Sequence, residues 1–482
     1  MTYLGVFVGF LTTFFVLTRF LTTEEIGLAR VLIDTGTLFI GLAQMGTSSS
    51  IIRFFPYFKK SSDDPSQNGF FFWTVIIPLF GFILIAFIYW LLHDSIAAVF
   101  SEKSELFVNY YYAVLPLAFF MLYQTIFETN ANVLMRIVFP RAVRELFLRL
   151  FLLAAYLLYA FRVVSMDGFI MLLCGAYGLA ALMNIIYLFA VGHISLRPNF
   201  HFVSARLARE YCFYTLFQIT AAIATVLAPF ISSYYITATM GLEYTGIFAI
   251  ATYISTMVAI PNRSLNAIAN PQLAQTTKDN DREGLSRLLK QVSNNSFLIG
   301  AFIFTAIWLN IDLIFRILPN GETYAVAKYV VLFLGLAQLC IATFNATISV
   351  LNFSRYYYLS LLYSFVLTVS AIVFNNLFIP VLGMNGAALA SLCSNVVYFA
   401  LMLITLAVFS RQHPFCSGHM KTLILTLLLL GSGTLFDRMM PGCNVWIGSC
   451  VKTLLWAVAL VIAYAWRVSP EINQTIQDKL HA

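Results

Sequence analysis

The chain has 482 residues, of which 60% are hydrophobic and only 10% charged, with a net charge of +7 and a mean hydropathy of +0.85. A soluble domain carries roughly 25% charged residues, so this composition excludes a water-soluble globular protein and calls for a bilayer as solvent. Segments of about 20 apolar residues cross the hydrocarbon core, and they must be helical because lipid offers the backbone no hydrogen-bond partner.

From the N-terminus, apolar runs place fourteen spans at 3–21, 29–52, 70–92, 107–130, 146–162, 168–191, 211–237, 245–265, 293–315, 325–351, 356–379, 385–409, 420–436 and 444–466. The first of them, in MTYLGVFVGFLTTFFVLTRF, lacks the basic n-region and A-x-A site of a signal peptide. It starts almost at Met1, as it would if a few residues preceded this start. Span 2 carries Asp34, Gly41, Gln44 and Ser48 at spacings that predict one helical face. Span 4 carries Gln124, Glu128 and Asn132 at i, i+4 and i+8, span 8 offers Asn262, Arg263 and Asn266, and span 10 carries Gln338, Asn345, Ser349 and Asn352. Pro116, Pro229 and Pro261 fall inside spans, where a lost backbone hydrogen bond makes a hinge or a packing kink. The segment DNDREGLSRLLKQV (279–292) has Leu285, Leu288, Leu289 and Val292 on one face and predicts an amphipathic helix lying on the cytoplasmic surface. In IPVLGMNGAALAS (379–391), Pro380 is expected to end span 11 and Gly383 to Gly386 to form a tight outer turn. The small residues after it give span 12 a surface for close helix approach.

Two short matches recur at nearly one offset. Glu24-Glu25-Ile26-Gly27 is paired with Glu243-Tyr244-Thr245-Gly246, and Met166-Asp167-Gly168 with Met384-Asn385-Gly386. Six spans separate the members of each pair, so both halves enter the membrane from the same side, as a parallel repeat. The expected protein is all-α and polytopic, with two parallel-repeat six-helix lobes, 1–191 and 211–409. A cytoplasmic linker, 192–210, joins the lobes, and helices 13–14 with a tail occupy 410–482.

LTRFLTTEEIGLARV (17–31), IIRFFPYF (51–58) and above all IPVLGMNGAALAS resemble the polysaccharide and O-antigen flippases of the multidrug/oligosaccharidyl-lipid/polysaccharide exporter superfamily. The resemblance covers nearly the whole chain and implies two lobes around a central cavity worked by alternating access. It also implies a lipid-diphosphate-linked, undecaprenyl-type oligosaccharide as cargo, carried to the periplasmic leaflet of a bacterial inner membrane for surface polysaccharide, O-antigen or lipopolysaccharide synthesis.

With the N-terminus inside, the inner connections and tail hold 20 of the 28 Lys and Arg residues. The positive-inside rule then puts both termini in the cytoplasm. Arginine binds phosphate through a planar fork, which makes Arg19, Arg53 and Arg263 the candidates for the diphosphate; the other reading is snorkelling at the membrane surface. Gln44, Gln124, Gln338 and Asn345 are candidates for lining the cavity, or else for interhelical hydrogen bonds. Asp34 and Glu128 either pair with a nearby arginine or bind a coupling H⁺ or Na⁺. No G-x-x-x-x-G-K-[ST] loop is present, so this chain supplies no ATPase. No cofactor, metal or nucleic-acid partner is expected. The expected partners are membrane lipids and the polymerase and glycosyltransferases of the same pathway, and the protein is expected to be a monomer. The alternatives are a lipid II-type flippase, a cation-coupled multidrug antiporter and, least favoured by the short outer connections, a membrane glycosyltransferase or polymerase.

Overall fold

The computed structural model describes residues 2–51, 55, 69–191, 209, 227–279, 281–354, 356–440, 444–466 and 468–470. These are predominantly helical, without strands among the described residues. Ten of the helices are long and apolar enough to cross a membrane. The linker expected at 192–210 lies outside the described residues except for Arg209. Two compact units are formed, Met1–Gly246 and Ile247–Ala482.

Unit 1 begins with α1 (residues 2–20), which widens into a π-helical stretch at Thr12–Leu17. Then come α2 (Thr23–Ala43), α3 (Phe70–Leu91), α4 (Val114–Val133), α5 (residues 138–160), α6 (Met166–Val191) and α7 (Ala228–Thr239). A capping box starts α2: the Thr22 amide donates to Glu25 Oε2 at 2.8 Å and the Glu25 amide to Thr22 Oγ1 at 3.2 Å. This satisfies donors that lipid could not. Helix α2 is broken after Gln44 by left-handed Met45 (φ 48°) and Gly46 (φ 65°). The expected stripe from Asp34 to Ser48 therefore does not share one unbroken helical face, although Ser48 Oγ still donates to Gln44 Oε1 at 2.8 Å. Helix α5 starts at Val138, earlier than the expected 146, and so carries Arg141 and Arg144 on the helix rather than in the connection before it. Hydropathy truncates such a helix end because long cationic side chains lower its mean while their stems stay apolar.

Unit 2 continues α8 (Leu242–Lys278) and adds α9 (Arg282–Leu309), α10 (Lys328–Phe353), α11 (Tyr357–Leu382), α12 (Met384–Thr405), α13 (Ser417–Met439) and α14 (Val445–Ala465). Helix α8 passes through a 3-10 turn at Met257–Ala259, just before Pro261, and runs to residue 278 instead of ending at 265. The amphipathic segment does not lie on the membrane surface. It is the first part of α9, and its apolar face is buried: Leu285, Leu289 and Val292 pack with Ala269 and Leu273 of α8, Ala346 and Val350 of α10, and Leu406. The apolar periodicity was legible, but its partner is protein. Leu289→Ala is expected to lower stability by about 2–5 kcal/mol, as for other core truncations. Thermal unfolding in detergent measures this, and a surface helix would show almost no change.

The 379–391 stretch also differs in detail. Pro380 lies inside α11, which continues to Leu382, and Gly383 alone (φ 56°) makes the turn into α12. Helix approach is indeed close: a Cβ on Gly386 would lie 2.2 Å from the Phe378 carbonyl oxygen. Helices α13 and α14 are fixed to α9 by buried polar groups. Ser293 Oγ lies 3.2 Å from His419 Nε2, Asn294 Nδ2 donates to the Val468 carbonyl at 3.0 Å, and Ser469 Oγ donates to Asn295 Oδ1 at 2.6 Å. Further along, Trp456 Nε1 donates to the Phe302 carbonyl at 2.8 Å. Apolar contact gives little net drive between helices in lipid, so such bonds hold helices together.

Candidate functional site

The membrane-embedded charges of unit 1 come in pairs. Asp34, on α2, is 3% exposed. One turn earlier on the same helix, Arg30 donates from Nε to Asp34 Oδ2 at 2.9 Å, the favourable i, i+4 spacing. Ser233 of α7 hydrogen-bonds the same carboxylate, and next to it Tyr234 donates to Thr35 Oγ1 at 2.8 Å. The Asp34 carboxylate is thus a junction between α2 and α7, with its charge met inside its own helix.

The second pair joins α4 to α5. Glu128 is buried, and Arg144 Nη1 stands 2.9 Å from its Oε1. Arg144 also contacts Glu145, whose other oxygen is 3.4 Å from Arg149. Arg149 in turn donates to the Gly5 carbonyl of α1. Arg144 and Glu145 sit in a π-helical stretch, Val143–Phe147. The wider turn of a π-helix changes which side chains face α4, and such turns occur often at functional sites.

A third feature links the two repeat motifs. Gly27 of α2 packs on the start of α8 so tightly that a Cβ there would lie 2.0 Å from the Leu242 carbonyl oxygen. A Cβ on Gly246 would lie 1.9 Å from the Thr23 carbonyl oxygen. The contact is reciprocal, with each motif glycine on the backbone four residues before its counterpart. The motif copies recognised as a repeat are therefore in contact.

The other sequence candidates are more scattered. Arg19 is exposed at the end of α1, with its guanidinium 5.5 Å from the Phe20 ring centre. Arg263 is exposed on α8, whereas Asn262 and Asn266 on the same turn are buried. Both polar atoms of the Asn262 amide lack a hydrogen-bond partner among the described residues, and a buried group of this kind calls for a water or a ligand. Arg53 lies outside the described residues. Gln124 is buried on α4, Gln44 is half-buried at the end of α2, and Gln338 and Asn345 are half-buried on one face of α10. Interhelical bonding of the alternative kind is present at Asn130, which donates to Thr74 Oγ1 of α3 at 3.2 Å. Sequence reasoning missed Arg30 and Arg144, the partners of the two acids. Unit 2 contains a cavity of about 430 Å³, lined chiefly by apolar side chains such as Phe297, Leu339, Phe344 and Phe415, with His419 at its wall.

The family model described as "Polysaccharide biosynthesis protein" matches residues 1–276. No curated protein matches by sequence. Among solved structures, a lipid II flippase MurJ in an inward closed conformation superposes with a TM-score of 0.73 at 11% identity, covering 97% of this chain and 98% of that one. An inward-facing multidrug resistance MATE family transporter of the MOP superfamily gives 0.64 at 15% identity, covering 84% and 96%. The Vibrio cholerae MATE transporter VcmN gives 0.57 at 13% identity, covering 85% and 95%. At these identities the likeness is one of fold.

Proposed function

Because the chain belongs to the polysaccharide biosynthesis protein family, we propose that it is a flippase for a lipid-diphosphate-linked oligosaccharide repeat unit, of undecaprenyl type. It works by alternating access in a bacterial cytoplasmic membrane, with both termini cytoplasmic, and serves surface polysaccharide or O-antigen synthesis. The family match is the observation that carries this reading. The all-helical transporter fold supports a carrier rather than an enzyme. Polar groups and paired charges within the helices of unit 1 fit a path for a sugar diphosphate, since ionisable groups in a membrane helix mark substrate or ion pathways. Asp34 and Glu128 are the proposed places for H⁺ or Na⁺ coupling, through exchange of an arginine for the ion. Gln44, Gln124, Gln338 and Asn345 are the proposed cavity-lining amides.

A lipid II-type carrier is the second reading, favoured by the near-complete coverage of the MurJ fold, against 84% for the MATE transporter. Both readings are tested by reconstituting the purified protein in proteoliposomes with a fluorescent lipid-diphosphate sugar and with lipid II, imposing pH and Na⁺ gradients separately. Movement of the oligosaccharide lipid but not lipid II is the expected result. Movement of neither under any gradient overturns the flippase assignment.

A further inference from the structure

We infer that Arg144 is the cation of unit 1 that contacts the cargo's diphosphate; this rests on the flippase reading above. The inference starts from how its side chain is held. Glu128 approaches Nη1 at 2.9 Å and Glu145 approaches Nη2 at 3.4 Å, yet the Arg144 side chain keeps 48% of its surface exposed. Arg30, joined to Asp34, is likewise partly exposed at 37%, so exposure alone does not set Arg144 apart; its contact with a second carboxylate does. Here two carboxylates orient the fork and leave much of it open, which lowers the entropic cost of binding a ligand because the geometry is already set.

The backbone adds a second observation. The π-helical stretch that carries Arg144 is braced from α1, where Gly5 lies so close that a Cβ would stand 1.9 Å from the Glu145 carbonyl oxygen. Arg149 donates to the Gly5 carbonyl. The widened turn is therefore held by its neighbours. Charge points the same way. Glu128 and Glu145 face Arg144 and Arg149, and Arg141 also acts on Glu128, so cations outnumber carboxylates in this cluster by one. A bound diphosphate would meet a net positive site. Arg30, by comparison, is joined to a single carboxylate on its own helix, and Arg19 lies against an aromatic ring.

The test uses the full chain, purified in detergent, with thermal unfolding followed against farnesyl diphosphate, inorganic pyrophosphate and farnesol. The diphosphate is common to the first two probes, and comparing them tells a lipid-borne diphosphate from a free one. Farnesyl diphosphate is expected to raise the melting temperature of the wild-type protein at lower concentration than pyrophosphate, and farnesol is expected to leave it unchanged. Arg144→Gln is expected to weaken the response to farnesyl diphosphate by at least about tenfold in half-saturating concentration, the scale of a lost charge-assisted hydrogen bond. Arg144→Lys, which keeps the charge and loses the fork, should fall between. If Arg144→Gln lowers the melting temperature without ligand but keeps the full response, Arg144 is structural and the inference is overturned, with the flippase reading intact. If wild type responds to neither diphosphate, both fall together. Should Arg144→Gln fail to fold, Arg144→Lys decides: an undiminished response overturns the inference, and a weakened one supports it.

Discussion

Gly27→Ala is expected to abolish complementation of a flippase-null strain and to lower the melting temperature of the protein in detergent. Overpacking a core usually costs about 1–3 kcal/mol because side chains can shift to make room. Here the obstacle is backbone: the new methyl would stand 2.0 Å from the Leu242 carbonyl oxygen, with the Gly246 amide nitrogen 3.1 Å away. Only separation of the two helix ends relieves such a clash, so the cost should lie at or above the top of that range. Gly246→Ala meets the Thr23 carbonyl at 1.9 Å and should behave alike. Once one alanine has parted the crossing, the second finds the room already made. The double variant should therefore be clearly less than additive, as expected for residues in direct contact. Two independent, additive losses would show that the glycines do not share one crossing.

The second large effect is an asymmetry between two halves of one ion pair. Arg30→Ala is expected to destabilise by about 3–5 kcal/mol, since it leaves a buried carboxylate without its cation. Asp34→Ala should cost less, because the Arg30 side chain, 37% exposed, is not stranded in the interior as Asp34 is at 4%. Removing both should cost less than removing Arg30 alone. Unfolding of the three variants in detergent measures the order. Equal losses from the two single substitutions would mean that burial of the carboxylate does not govern this pair.

The two acids show how differently the elements of the site could be read from the chain. Arg30 and Asp34 are four residues apart on one helix, a pattern that local geometry makes visible. Near the end of a span, though, Arg30 also counts toward membrane orientation, which masks the pairing. No such pattern connects Glu128 to Arg144. They lie on successive helices, and the π-helical turn at Val143–Phe147 decides which side chains of α5 face α4. That turn packs against Gly5 of α1, a contact that no local sequence window contains. Likewise, the left-handed Met45 beside Gly46, which breaks α2, was not expected from the apolar run 29–52. The amphipathic start of α9 lies between these cases. Its apolar face was plain from spacing, but spacing cannot tell a lipid surface from a protein core, since both accept leucine.

From the chain alone, then, the solvent and the all-helical class could be read. A chain with 10% charged residues must live in lipid, and lipid forces its apolar runs into helices. What only the tertiary structure decided is which polar groups meet. The contact of Gly27 with Gly246, the clamp of Glu128 and Glu145 on Arg144, and the anchoring of α13 and α14 to α9 all join residues far apart in the chain. The physical reason is that hydropathy is a sum over neighbours in sequence. Ion pairs and helix crossings depend on angstrom-scale distances between segments, and those are set only when the helices pack.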